Sequence, residues 1–216
     1  MKPNFKKILQ EKYPVLYGVR AIKINALPIK CGLSVGDGWF YLIDVLSELI
    51  VENNPAAVAA QIKEKFGTLR FYLRKYPKQL GYVFGLTNIA QSLSEIICEE
   101  CGKHGAMYCD DWVCVRCEEH KISGQYKKQT ININGLSFDT NAIGVMRSEM
   151  ISLLFRQIKM HVNYNSMPHV IFKKIERTDG KLSIEYSGGN DVTRGMVDLL
   201  IKYANNENSQ SGLVLL

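Results

Sequence analysis

Histidine is scarce and poorly arranged for hydrolysis: only four are spread through 216 residues, with no HExxH, HxxxH or Asp-x-Asp pattern. A catalytic metal centre needs an open coordination position with a general base, or a second group of carboxylate and imidazole ligands. An enzyme is therefore not the expectation. No run approaches the ~18 apolar residues that a membrane span needs. The opening Met-Lys-Pro-Asn-Phe-Lys-Lys-Ile-Leu-Gln lacks the apolar core of a secretory signal. A cytoplasmic protein with no membrane contact is expected. Acidic residues are in the minority, 21 against 27 Lys and Arg, so the net charge of +6 favours anionic partners without requiring them. A hydrophobic content of 46% suffices for one large core or two small ones. Residues 207–216 read as a polar tail.

Cysteine, by contrast, is concentrated. Of six, five fall between Cys98 and Cys117. Thiols stay reduced in the cytosol, and such clustering suits a metal better than disulfides. A redox role is disfavoured because the Cys-x2-Cys pair opens no thioredoxin-like βαβ pattern. The insert reads Cys98-Glu-Glu-Cys101-Gly102-Lys103-His104, then Cys109, then Trp112-Val-Cys114-Val-Arg-Cys117-Glu-Glu-His120. Cys98 and Cys101 followed by Gly102 make a knuckle, since glycine accepts the backbone geometry that wraps a tetrahedral ion. The second half offers Cys114 with Cys117, or Cys117 with His120, and the chemistry leaves them level. Structural zinc is the expected cofactor.

Weak self-similarity flanks this insert. Gly32-Leu33-Ser34-Val35 recurs as Gly135-Leu136-Ser137-Phe138, an offset of 103. Pro55, Ile62, Gly67 and Leu69 then meet Pro168, Ile175, Gly180 and Leu182 at one ungapped offset of 113, and Gly85-Leu86 meets Gly195-Met196 at 110. Each copy reads helix, strand, turn, strand, helix. In the first, Trp39, Leu42, Ile43, Leu46, Leu49 and Ile50 form a helical stripe after Asp37-Gly38. Strands over 57–65 and 69–73 flank Phe66-Gly67-Thr68, and a second helix runs from Leu86 into the knuckle. In the second copy, a helix beginning near Asp139-Thr140 carries Ile143, Met146, Met150, Leu154 and Ile158. Strands over 169–176 and 182–186 then meet across Thr178-Asp179-Gly180, and Asp191 opens the last helix.

The expected fold is α+β: two tandem αββα units related by internal duplication, with a zinc knuckle or treble-clef-like insert between them. The first unit and an N-terminal helix take 1–97, the insert 98–122 and the second unit 123–206. A pseudo-twofold axis is expected, with the two hairpins joining into one four-stranded antiparallel sheet.

The first 120 residues resemble a family of small uncharacterised phage and prophage proteins. The resemblance rests on Lys12-Tyr13-Pro14-Val15-Leu16-Tyr17, on Gly36-Asp37-Gly38-Trp39-Phe40 within 31–40, on the stretch Ile62-Lys63-Glu64-Lys65-Phe66-Gly67-Thr68-Leu69-Arg70-Phe71-Tyr72, and on the cysteine insert. In that family, Trp precedes Cys-x2-His by five residues, as Trp112 does Cys117 and His120. The resemblance thus implies Cys98, Cys101, Cys117 and His120 as ligands, with Cys114 the alternative to His120. The family's Gly-Gly-Asp and Arg-Gly pattern is missing from the first copy, where Lys75-Tyr-Pro-Lys-Gln-Leu-Gly81 stands instead. It appears in the second as Gly188-Gly189-Asn190-Asp191 and Arg194-Gly195. The resemblance implies zinc and a phage setting, but no activity.

Basic residues recur on both hairpins: Lys63, Lys65, Arg70 and Arg74 in one, Lys173, Lys174 and Arg177 in the other. Lys127 and Lys128 follow the insert. A basic sheet carrying Phe71, Tyr72 and Tyr186 can track a nucleic-acid backbone and stack bases. The expected function is a zinc-stabilised accessory protein contacting nucleic acid, with a counter-defence or host-takeover inhibitor gripping a host protein as the alternative. A treble-clef nuclease is the weakest reading, since four protein ligands would close the site, and a homodimer is left open. Gly36-Asp37-Gly38-Trp39 reads as a cap with Trp39 as core anchor rather than a ligand loop. Gly188-Gly189-Asn190-Asp191 reads as turn and cap rather than an anion site, because Asp191 would repel phosphate.

Overall fold

The computed structural model describes residues 1–18, 32–74, 80–109, 112–122, 125–126, 143–164 and 166–206. Lys127, Lys128, Asp139, Thr140, the 135–138 repeat and the 207–216 tail lie outside them. The chain begins with α1 (Pro3–Lys12), which turns Phe5 and Leu9 into the core. The first unit comprises β1 (Gly32–Ser34), a 3-10 turn at Asp37–Trp39, α2 (Phe40–Asn53), β2 (Ala59–Lys65), β3 (Thr68–Leu73) and α3 (Leu80–Leu93). The insert contributes β4 (Ala106–Cys109), β5 (Val113–Arg116), a 3-10 turn at Glu118–His120 and β6 (Gln125–Tyr126). The second unit comprises α4 (Val145–Tyr164), β7 (Val170–Thr178), β8 (Lys181–Gly188) and α5 (Asp191–Ala204). The α+β class and the repeated αββα order are both present.

The likeness of the copies extends to backbone detail. Each hairpin closes on a two-residue turn with both residues left-handed: Phe66 and Gly67 at φ 54° and 69°, Asp179 and Gly180 at 53° and 79°. Such turns match the right-handed twist of the flanking strands. The register also slips at corresponding places, between Ala59 and Gln61 in β2 and between Phe172 and Lys174 in β7. A bulge is a built feature of a strand, so its recurrence 113 residues on is hard to ascribe to generic hairpin geometry.

α3 and α5 form the seam between the copies, and the contact is reciprocal. A Cβ on Gly85 would lie 2.1 Å from the Val192 carbonyl oxygen, and one on Gly195 would lie 2.2 Å from that of Tyr82. At the offset of 110, Tyr82 corresponds to Val192 as Gly85 does to Gly195. Such i-to-j and j-to-i pairing defines a twofold interface. α2 packs on α5 as α4 packs on α3, completing the exchange. One hydrophobic core runs from Phe5 to Ala204 through both copies.

The expected four-stranded sheet is not formed. Instead β1 adds parallel to β2, Leu33 opposite Ile62, to make a β1-β2-β3 sheet, while β7 and β8 pair alone among the described residues. The cause is the helical seam: β3 lies on α3 and β8 on α5, and it is these helices that meet. At the start of α5, Asn190 accepts hydrogen bonds from the Val192 and Thr193 amides, while its own amide donates to Thr193 Oγ1. This reciprocal cap accounts for the Gly188-Gly189-Asn190-Asp191 motif.

Candidate metal centre

The insert brings its ligands together by two local devices. In the first half, Gly102 at φ 79° lets the chain fold back, so that its amide donates to the Cys98 carbonyl at 2.9 Å and the Cys98 amide donates to Lys103 at 2.9 Å. In the second half, β4 pairs with β5 from Ala106 opposite Arg116 to Cys109 opposite Val113, which delivers Cys117 at the strand exit. One 3-10 turn then places His120, its amide donating to the Cys117 carbonyl at 3.1 Å. Knuckle, hairpin and helical turn follow the order of a treble clef, its helix cut to a single turn.

The thiols of Cys98, Cys101 and Cys117 and an imidazole nitrogen of His120 all lie within 4.8 Å of one another. Cys101 and Cys117 sulfurs are 3.6 Å apart, and His120 Nδ1 stands 3.3 Å from Cys117 Sγ and 3.7 Å from Cys98 Sγ. Around a tetrahedral ion with metal–sulfur and metal–nitrogen bonds of about 2.3 and 2.0–2.1 Å, the edges come to about 3.8 Å between sulfurs and 3.6 Å between sulfur and nitrogen. The donor set therefore fits a four-coordinate metal. Cys114 is not in the cluster; it sits within β5, buried and paired with Tyr108 in the ladder. Burial pushes the Cys101 thiol up to about 12. Burial also raises Cys117, but its hydrogen bonds to His120, Cys101 and the Glu119 backbone together outweigh that and bring it down to about 7. A bound cation would hold all three as thiolates.

The Gly36-Asp37-Gly38-Trp39 motif proves to be the seat of the knuckle. The Gly38 amide donates to the Glu99 carbonyl at 2.8 Å, and Trp39, fully buried, donates from Nε1 to the Ile97 carbonyl at 3.0 Å. A Cβ on Gly38 would lie 2.0 Å from the Cys98 carbonyl oxygen, and one on Gly36 would lie 2.1 Å from that of Glu99. Only bare backbone fits there. Glu99, nearly buried, accepts from the Val115 amide at 2.8 Å and pairs with Arg116 at 3.3 Å, bracing knuckle to hairpin. Burial raises its carboxyl, against the pull of those two partners. Arg156 to Glu95 at 2.7 Å and His104 to Glu149 at 2.9 Å tie this region to α4.

The basic hairpins differ in surroundings. Lys63, Lys65 and Arg70 have no carboxylate partner among the described residues, and Lys63 lies directly opposite Arg70. Lys63 and Lys65 instead approach the Tyr72 and Phe66 rings, at 5.8 and 5.3 Å. In the second hairpin Lys174 pairs with Glu176 at 2.8 Å and faces Glu185, and Arg177 donates to the Gly180 carbonyl. Lys173 and Arg74 are exposed. The sequence reading places Phe66 in a turn and Trp112 in the insert without giving either a contact role, yet each is 67% exposed. They adjoin the contact between hairpin and insert, where Gly67 abuts Val113. The available signal was Phe66 itself, a bulky residue where the other copy has Asp179.

Compared with known protein families, curated proteins and solved structures, the chain matches none. No helix among the described residues is long and apolar enough to cross a membrane.

Proposed function

We propose that the protein binds single-stranded nucleic acid through the outer face of its first hairpin and the adjoining insert, which a zinc ion held by Cys98, Cys101, Cys117 and His120 keeps in place. Three thiolates and one imidazole are a zinc donor set, and four protein ligands leave no position for a reacting water, so the ion acts structurally. The carrying observation is the pair of exposed aromatics, Phe66 and Trp112, next to uncompensated Lys63, Lys65 and Arg70. Aromatic rings supply stacking to any base, and the cations follow the backbone. Phe66 holds φ 54°, a conformation that costs a bulky side chain energy. Strain retained at an exposed site is a mark of use there. The resemblance to phage and prophage proteins supports an accessory role in an infected bacterial cytoplasm.

The test is fluorescence anisotropy with a labelled dT12 at low and physiological salt. Binding should weaken steeply as salt rises, by counterion release. Replacing Phe66 and Trp112 by Ala should weaken it by roughly 1–3 kcal/mol per lost stacking contact. No binding at low salt would refute the proposal and move the search to a host-protein target.

A further inference from the structure

A cleft of about 180 Å³ runs between β3 and α3. Every residue of 69–73 lines it, as happens where a cleft follows the edge of a strand, and β3 is an edge strand. Arg70, Tyr72, Phe84 and Asn88 complete its functional lining, and no carboxylate takes part. Both Arg70 and Asn88 line it, and Arg70 Nη1 and Asn88 Nδ2 are buried without a hydrogen-bond partner. Orphaned buried donors are rare and costly, more so when one is charged. Lys63 lies directly opposite Arg70, and like charges so placed repel, which an anion beside them would relieve. The second copy lacks these two donors: Ser183 and Asp198 stand at the corresponding positions, and Asp198 accepts from the Tyr82 hydroxyl at 2.9 Å.

We propose that this cleft is an oxyanion subsite that seats a phosphate group of the bound strand, its oxygens accepting from Arg70 and Asn88 while the adjoining base lies against Tyr72. The inference rests on the nucleic-acid reading and names the position on the protein where the backbone is gripped.

Two measurements test it on the full-length, metal-loaded protein. With dT12, Arg70→Gln should lower the slope of log K against log salt by about 0.7, the loss of one single-strand phosphate contact. Asn88→Leu should weaken binding severalfold with little change of slope, and Phe66→Ala should weaken it with the slope retained. Thermal melts confirm that each variant is folded. If Arg70→Gln and Asn88→Leu bind as the wild type does, the subsite is refuted while the nucleic-acid reading stands. The second measurement follows the Asn88 side-chain amide resonance during titration with inorganic phosphate. Should the wild type not bind dT12, a moving Asn88 resonance would retain the oxyanion site and refute only its strand ligand. An unmoved resonance would refute both.

Discussion

Four glycines, two cysteines and one phenylalanine show how single residues set this protein's properties. Gly38 and Gly32 lie six residues apart, yet a Cβ on Gly38 collides with the knuckle backbone while one on Gly32 meets nothing within 4 Å. Gly38→Ala should therefore cost roughly 1–3 kcal/mol and hasten metal loss to a chelator, whereas Gly32→Ala should stay within about 0.5 kcal/mol. A melt of each variant, together with a colorimetric metal-release assay, checks both. Among the cysteines, Cys117→Ser should abolish stoichiometric metal, and Cys114→Ser should leave one equivalent bound by native mass spectrometry. Phe66→Asn should raise stability by about 1 kcal/mol by relieving a left-handed bulky residue, and at the same time weaken dT12 binding. A gain of stability with unchanged binding would leave the aromatic tip without a purpose. Gly102 was legible as the knuckle glycine because its cause is local. The part played by Gly36 and Gly38 was not, since it depends on a backbone that arrives some sixty residues later.

Helices and hairpins were read well wherever their cause lay within a dozen residues. The α2 stripe, the Asp179-Gly180 turn and the α5 start all follow from periodicity and turn chemistry. The pairing of β1 with β2 and the separation of the two sheets were not legible, because they follow from which helices meet at the seam. That seam reverses an ordinary rule. Gly→Ala inside a helix usually stabilises by about 0.5–1 kcal/mol, but at Gly85 or Gly195 the added carbon strikes a backbone carbonyl, and a net loss of roughly 1–3 kcal/mol is expected in chemical denaturation. The double variant should lose less than the sum, since one separation of α3 from α5 relieves both clashes. α4 meets α3 partly through His161, buried edge-on to Phe84 at 5.5 Å. Burial holds its imidazole below the ordinary value, so the unfolded chain takes up a proton that the folded one resists. This contribution is intact above about pH 6.5 and is lost as pH falls below it. His161→Gln should flatten that limb of the stability–pH curve, and an unchanged limb would show that other groups carry it.

At the scale of the molecule, a core shared by both copies predicts one cooperative unfolding transition rather than two. The insert is wedged between α4 and the Gly36–Trp39 loop, so chelation should act on the whole fold. Losing about 5 kcal/mol of metal-linked stability would lower Tm by roughly 10–20 °C, measured by calorimetry with and without a strong chelator. The presence of a repeat was legible in a handful of aligned residues, but its divergence becomes meaningful only in three dimensions. The outer face of the first hairpin carries Gln61, Lys63, Lys65, Arg70 and Tyr72, and the matching face of the second carries Lys174, Glu176, Thr178, Ser183 and Glu185. A symmetric pair of identical subunits could not differ in this way, because every feature on one would be repeated on the other. Joining the copies in one chain keeps the twofold packing at Gly85 and Gly195 and frees their surfaces to diverge. Each chain consequently presents the basic, aromatic hairpin face once, so the proposed ligand would find a single such site per chain.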